Sequence, residues 1–231
     1  MAKHEARSSP LLVQPRSHGI PLLRQARYLH PRMQAVPILD SKAFGLTVNR
    51  LCYQLIEDHD DLRNTVLLGM QPRGVLLARR IRRELGRILA HDEFLYGELD
   101  ITFHRDDFRQ RTLAPSTTQL DLSLEERKVV LIDDVLYTGR SIRAGLDALL
   151  SFGRPSAVQL LVLVDRRFER ELPIAPDYVG RWVDSIAGQR VSVEWKEAEG
   201  KDQVLLLTSG AADERENAAK DTGHKPTPTR K

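Results

Sequence analysis

The stretch that most constrains what this chain can become reads Lys-Val-Val-Leu-Ile-Asp-Asp-Val-Leu-Tyr-Thr-Gly-Arg-Ser-Ile over residues 128–142. Its opening, residues 129–132, is an unbroken β-branched and aliphatic run. That is the pattern of a strand buried on both faces, as in a parallel sheet covered by helices. Asp133 and Asp134 end the run, a short turn with Thr138, Gly139 and Ser141 follows, and residues 142–152 then carry a helical pattern. In open parallel sheets, ligands bind beyond the carboxyl ends of the strands. Small side chains, hydroxyls and backbone N–H groups at a helix N-terminus suit a phosphate. Two carboxylates repel that phosphate but accept strong hydrogen bonds from hydroxyls nearby, such as a ribose diol. The element therefore reads as a holder for a sugar phosphate, diol at the strand end and phosphate in the turn.

The flanking sequence alternates helix and strand patterns. Asp40 or Ser41 can cap a helix whose Phe44, Val48, Leu51, Cys52, Leu55 and Ile56 share one buried face. Thr65-Val-Leu-Leu-Gly-Met70 is a second strand, Gln71-Pro72-Arg73-Gly74 a tight turn at its carboxyl end, and residues 75–90 a helix bearing Arg79, Arg80, Arg82, Arg83 and Arg87. Strand, Pro/Gly turn and helix N-terminus again make an anion cradle. The arginine-rich helix fits a solvated face and an RNA-facing surface equally well. Residues 94–104 alternate as a strand and run into a long polar loop, a feature usually functional in a compact domain. Residues 157–164 form another apolar strand with Asp165, Arg166 and Arg167 at its end, where the arginines form a solvated turn or hold a diphosphate. Residues 191–195 and 204–207 read as a terminal hairpin.

The string Asp-Asp-Val-Leu-Tyr-Thr-Gly-Arg-Ser-Ile-Arg-Ala-Gly-Leu-Asp-Ala-Leu at 133–149 resembles the motif that binds 5-phosphoribose 1-diphosphate (PRPP) in type I phosphoribosyltransferases. It is most similar to the PyrR family, pyrimidine-operon regulators that are also uracil phosphoribosyltransferases. Leu-Asp-Ile-Thr-Phe-His-Arg-Asp-Asp at 99–107 resembles the start of that family's catalytic lid, and Glu-Leu-Pro-Ile-Ala-Pro-Asp-Tyr-Val-Gly at 171–180 resembles its base-proximal segment. The resemblance implies an α/β fold: a Rossmann-like parallel sheet with flanking helices, a flexible lid loop and a small hood. It covers residues 37–208, leaving a basic extension at 1–36 and a polar tail at 209–231, both expected to be disordered. The extension, with Lys3, Arg7, Arg16, Arg24, Arg27 and Arg32 against Glu5, has a nucleic-acid-binding arm as its alternative.

The same resemblance implies the chemistry. Asp133 and Asp134 take the ribose hydroxyls and steer Mg²⁺, directly or through water. Val135, Leu136, Tyr137, Thr138, Gly139, Arg140 and Ser141 hold the 5′-phosphate. Gln71, Pro72, Arg73 and Gly74 hold the diphosphate, which Arg105 caps when the lid closes. Tyr178, Val179 and Gly180 are the expected base contacts, against the alternative of a short edge strand with Tyr178 in the core. Purine-using relatives carry an Asp three positions after the second acid, where this chain has Tyr137. A phenol is a poor proton acceptor at neutral pH, which favours uracil. The expected activity is formation of UMP and diphosphate from uracil and PRPP by a dimer.

The alternative is a UMP- or PRPP-sensing regulator that binds a pyrimidine mRNA leader with little catalysis. Two departures bear on it. The family's Thr-Arg-x-x-His in the first helix reads Asn49-Arg50-Leu51-Cys52-Tyr53 here, and its Pro-Thr-Ser run appears as Asp184-Ser185-Ile186. Leader binding is therefore expected to be weak and salt-sensitive.

Bulk properties add exclusions. At 231 residues the chain fits one domain with ragged ends or two small ones. Cys52 is the only cysteine, so an intramolecular disulfide and a thiolate metal cluster are excluded. No apolar run nears the roughly 18–20 residues of a membrane span, and the start lacks a signal-peptide pattern. A cytoplasmic protein is expected.

Overall fold

The structure is a computed structural model, and it describes residues 34–104, 118–186 and 188–208. The chain runs through β1 (Gln34–Leu39), α1 (Ser41–His59), β2 (Thr65–Met70), α2 (Gly74–Leu89), β3 (Leu95–Leu99), β4 (Lys128–Leu136), α3 (Arg140–Leu149), β5 (Ala157–Arg166), β6 (Tyr178–Val183), β7 (Gln189–Glu194), α4 (Lys196–Glu199) and β8 (Gln203–Thr208). The expected central strand is the middle of a five-stranded parallel sheet ordered β3-β2-β4-β5-β6. One face packs Leu67, Val130 and Ile132 with Phe44 and Leu51 of α1 and Leu77 and Ile81 of α2. The other packs Leu68, Leu131 and Val162 with Ile142 and Ala148 of α3. Burial on both faces is why these strands read as continuous apolar runs.

Register fixes the functional end. Gly69 pairs with Ile132, Ile132 with Leu161, and Leu161 with Tyr178, so these four lie on one line across the sheet. Farther along, Leu136 pairs with Asp165, and Asp165 with Trp182. After β2 the chain moves outward to β3, whereas after β4 it moves the other way to β5. The strand order therefore reverses between β2 and β4, the place where ligands bind in such sheets. Met70 and Leu136 feed their loops into that crevice.

Several boundaries differ from the sequence reading. β4 runs on through both acids to Leu136. The helix after it starts at Arg140 and ends at Leu149, with residues 150–152 a 3₁₀ turn. β3 stops at Leu99 because Asp100 turns the chain: its carboxylate accepts from Thr102 N (2.8 Å) and Thr102 Oγ1 (2.6 Å). The Asp40 carboxylate, rather than the Ser41 hydroxyl, caps α1 by accepting from Ala43 N at 2.8 Å.

The hood is an antiparallel sheet ordered β1-β8-β7, one strand more than the expected hairpin. The boundary expected after residue 36 falls inside β1, which pairs with β8 from Gln34↔Thr208 onward. Residues 34–37 are all exposed, so backbone pairing holds them and no side-chain alternation marks the strand. Trp195 seats the hood against Phe44, edge to face at 5.2 Å. Arg80 lies 5.4 Å from the Trp195 ring centre and forks onto Asp202. Residues 105–117 of the expected lid, with Arg105, the basic extension before residue 34 and the tail after 208 lie outside the described residues. Among the described residues no helix is long and apolar enough to cross a membrane.

Candidate phosphoribosyl site

Two loops and two acids meet at the switch point. Asp134 is buried, and its Oδ2 accepts from Arg73 Nε at 2.8 Å. Burial pushes its carboxyl above the usual carboxylate range, with the Arg73 guanidinium pulling the other way. Asp133 is half-buried, and its Oδ1 accepts from the Asp134 N–H at 2.9 Å. The Gln71–Pro72 peptide of the first loop is cis, and Gln71 N donates to the Leu99 carbonyl at 2.9 Å. Gly74 lies directly on β4: a Cβ there would sit 2.4 Å from the Ile132 carbonyl oxygen and 2.9 Å from Asp133 Cα. Only glycine allows this loop to reach the acids. Arg73 also donates to the Val193 carbonyl of the hood, and Glu199 lies 3.8 Å away. One guanidinium thus joins the 71–74 loop, an acid and the hood.

The second loop is held from behind. Gly139 has φ 92°, the left-handed region that glycine favours, and it precedes α3 directly. The Thr138 carbonyl accepts from the N–H groups of Glu171 and Leu172 at 3.0 and 3.1 Å, while Thr138 Oγ1 accepts from Arg140 N at 3.4 Å. Arg140 pairs with Glu171 at 2.6 Å, both about half exposed. The turn is shaped before any ligand arrives, and the N-terminal end of α3 opens from it.

The structure therefore brings together Asp133, Asp134, the 71–74 loop and the 137–141 loop. It does not bring the Tyr178 side chain to them. Tyr178 starts β6, level with Ile132 rather than with the loops. It is 3% exposed, and its hydroxyl donates to Asp58 (2.7 Å) and accepts from Gln159 (3.1 Å). The edge-strand alternative describes this residue, because its phenol completes a polar cluster under α1. The Val179 and Gly180 carbonyls accept from Arg50 Nη2 at 3.1 and 2.6 Å. Arg50, the one residue kept from the family's RNA-binding pattern, is thus committed within the chain.

Other arginines are committed too. Arg79 forks onto Glu98, Arg87 pairs with Glu84, and Arg82 stacks over Tyr96 at 5.2 Å. At the end of β5, Arg167 pairs with Asp184 at 2.7 Å, while Arg166 is buried against Tyr137. Arg167 thus stays at the solvated turn that was one expectation, whereas the buried Arg166 does not. A charged strand-end residue gives no sequence signal of burial, so the Arg166 environment was not foreseeable.

Among the described residues no group of three or more His, Cys, Asp or Glu side chains is placed to hold a metal ion. Asp133 and Asp134 alone fit Mg²⁺ of the kind that takes one or two carboxylates and completes its shell with substrate oxygens and water. They do not fit a resident ion with an all-protein cage.

The phosphoribosyl transferase domain family matches residues 36–198. The bifunctional protein PyrR of Synechocystis sp. is 41% identical over 175 residues, covering 75% of this chain and 97% of that protein. The bifunctional protein PyrR of Streptococcus pyogenes is 43% identical over 175 residues, covering 76% and 98%. The hypoxanthine phosphoribosyltransferase of Staphylococcus aureus superposes with a TM-score of 0.56 at 16% identity, over 77% of this chain and 94% of that one. That of Trypanosoma cruzi, in complex with the product IMP, has a TM-score of 0.56 at 15% identity, over 79% and 95%. The two solved structures share the fold. The curated relatives share sequence along three quarters of the chain, and at that closeness the chain belongs to the phosphoribosyltransferase family and, within it, to the PyrR proteins.

Proposed function

We propose that this protein transfers 5-phosphoribose from PRPP to uracil, forming UMP and releasing diphosphate. The observation that carries the reading is the placement of Asp133 and Asp134 between two anion-holding loops on either side of the switch point. The acids accept hydrogen bonds from the ribose 2′- and 3′-hydroxyls. N–H groups at the start of α3 hold the 5′-phosphate, and the 71–74 loop holds the diphosphate. As the C1–diphosphate bond breaks, positive charge grows on the ribose ring and negative charge on the leaving group, and fixed dipoles favour both. Mg²⁺ bound with PRPP supplies further neutralisation of the diphosphate. Arg73 exchanges partners on binding: the diol takes over Asp134, and the guanidinium turns to the diphosphate. Arg105 and the rest of the lid exclude water from the ring cation.

Backbone groups of β6 are assigned to the base, toward its carboxyl end. Val183 pairs with Arg166 and so lies beyond the level of Leu136. Tyr178, Val179 and Gly180 support that edge from within, the first through its buried phenol and the other two through carbonyls that accept from Arg50. Tyr137 favours uracil over a purine by lacking a carboxylate for a purine nitrogen. A dimer in the cytoplasm follows from the same family relation.

The second reading, a nucleotide-sensing regulator that binds an mRNA leader, draws on the bifunctional naming of the relatives. Pairing of Arg79, Arg80 and Arg87 with acids reduces the basic charge that α2 offers, and Arg50 is committed to backbone carbonyls, so leader binding is expected to be weak and steeply salt-dependent. A tight, UMP-stimulated complex at physiological salt would reverse that ranking.

The decisive assay follows UMP formation from labelled PRPP across a panel of free bases. The Asp133→Asn, Asp134→Asn double variant is expected to lose turnover by about a thousandfold or more. Turnover like that of the unchanged protein in the double variant would refute the assignment.

A further inference from the structure

Tyr137 is held at three points that phosphate binding does not require. The Arg166 guanidinium carbon lies 3.8 Å from the centre of its ring. Its hydroxyl donates to Glu169, and its carbonyl accepts from Arg170, which is itself paired with Asp165. Arg166 is anchored in turn: Nε donates to Ser185 Oγ at 2.8 Å, Nη2 donates to the Gln189 carbonyl at 2.9 Å, and a Glu169 carboxylate oxygen lies 3.7 Å from Nη2. Arg166 is 6% exposed and Ser185 1%, whereas Tyr137 remains 37% exposed. Burying a guanidinium is costly unless its donors and its face are satisfied. Here they are satisfied by the ring of Tyr137, just after the two acids, and by the segment where Ser185 replaces part of the family's Pro-Thr-Ser run.

We propose that Arg166, anchored by Ser185 and Gln189, is a positioning residue that pins Tyr137 as a fixed wall of the base site and so restricts that site to a one-ring base. A free tyrosine would swing aside to admit a second fused ring. A tyrosine clamped on face, hydroxyl and backbone cannot, and a planar stacked guanidinium is the side chain suited to clamp a ring face. The proposal deepens the uracil reading and rests on it for the location of the base.

The test measures binding of UMP and of GMP by titration calorimetry to the full chain and to Arg166→Met and Arg166→Lys variants, with thermal melts alongside. The unchanged protein is expected to prefer UMP. Arg166→Met should weaken UMP binding and cut the UMP/GMP preference by about tenfold, and Arg166→Lys should restore only part of it. In turnover assays Arg166→Met should raise the KM for uracil with little change in the KM for PRPP. A preference that stays constant while the melting temperature falls would reduce Arg166 to a structural role and overturn the proposal. An unchanged protein without one-ring preference would overturn it as well. Absence of UMP formation by a protein that still prefers UMP to GMP, and loses that preference in Arg166→Met, would instead sink the uracil activity and leave the wall standing.

Discussion

The loops after β2 and β4 perform related tasks with opposite constructions. Both follow buried strands, both precede helices, and each carries a glycine and an arginine. In the first, the glycine is required by packing: Gly74 has no positive φ but touches the β4 backbone. In the second, it is required by conformation: Gly139 has φ 92°, and the nearest atom to an added Cβ is the end of the Ile174 side chain at 3.3 Å. The arginines differ likewise. Arg73 points inward to a buried acid, whereas Arg140 points outward to an exposed one. The first loop is fitted to the sheet, and the second is a turn braced from behind by residues 166–172.

Alanine at each glycine breaks the comparison most directly. Gly74→Ala places a methyl group 2.4 Å from a backbone oxygen that cannot move without shifting β4. Its expected cost is about 3 kcal/mol in a urea melt, with loss of PRPP binding. Gly139→Ala meets only side-chain atoms of Leu172 and Ile174, none nearer than 3.3 Å, and pays for a left-handed backbone, about 1–2 kcal/mol. Gly139→Asn should recover part of that loss, because Asn tolerates this region, whereas Gly74→Asn should be worse than Gly74→Ala. Equal costs at the two positions would remove the distinction between packing and conformation.

Legibility divides along the same line. The second loop was readable because the signals that set its turn are local: an apolar run, two acids, a Gly where the chain turns left-handed, and a helix start; its brace by Glu171 and Leu172, far along the chain, was not readable. The first was readable as a turn, but its partner was not, since Arg73 and Asp134 are 61 residues apart and nothing in either neighbourhood names the other. Tyr178 shows a different limit. An aromatic ring with a polar tip fits a core and a binding site equally well, and only the pairing Leu161↔Tyr178 shows that it lies on the wrong level for the site. β1 escaped because its first four residues expose their side chains, so the strand carries no period to detect. The arginine-rich helix left two readings open, since composition counts cations but does not show that Glu98, Glu84, Glu197 and Asp202 face them.

The same substitution in both arginines sharpens the contrast further, by its pH dependence. Asp134 has a raised carboxyl pKa in the folded protein, chiefly through burial, so it contributes stability below its unfolded pKa that is lost as pH rises through the folded value. Arg73 opposes that shift. Arg73→Gln should raise the carboxyl further and move the window of loss upward. The variant should be destabilised by about 1–3 kcal/mol at neutral pH, where a buried carboxylate has lost its charged partner. The deficit should shrink toward acid pH as Asp134 takes up a proton, and urea melts at successive pH values read the difference. Arg140→Gln should do neither. Its pair with Glu171 is about half exposed on both sides, so stability should change by no more than about 0.5 kcal/mol and the difference should be flat with pH. What it should change is the KM for PRPP, upward and less steeply dependent on salt than in the unchanged protein, because one cation has left the phosphate end. A pH-dependent loss of stability in Arg140→Gln would mean that the outer loop, too, leans on a buried acid, and that the two arginines are not opposites.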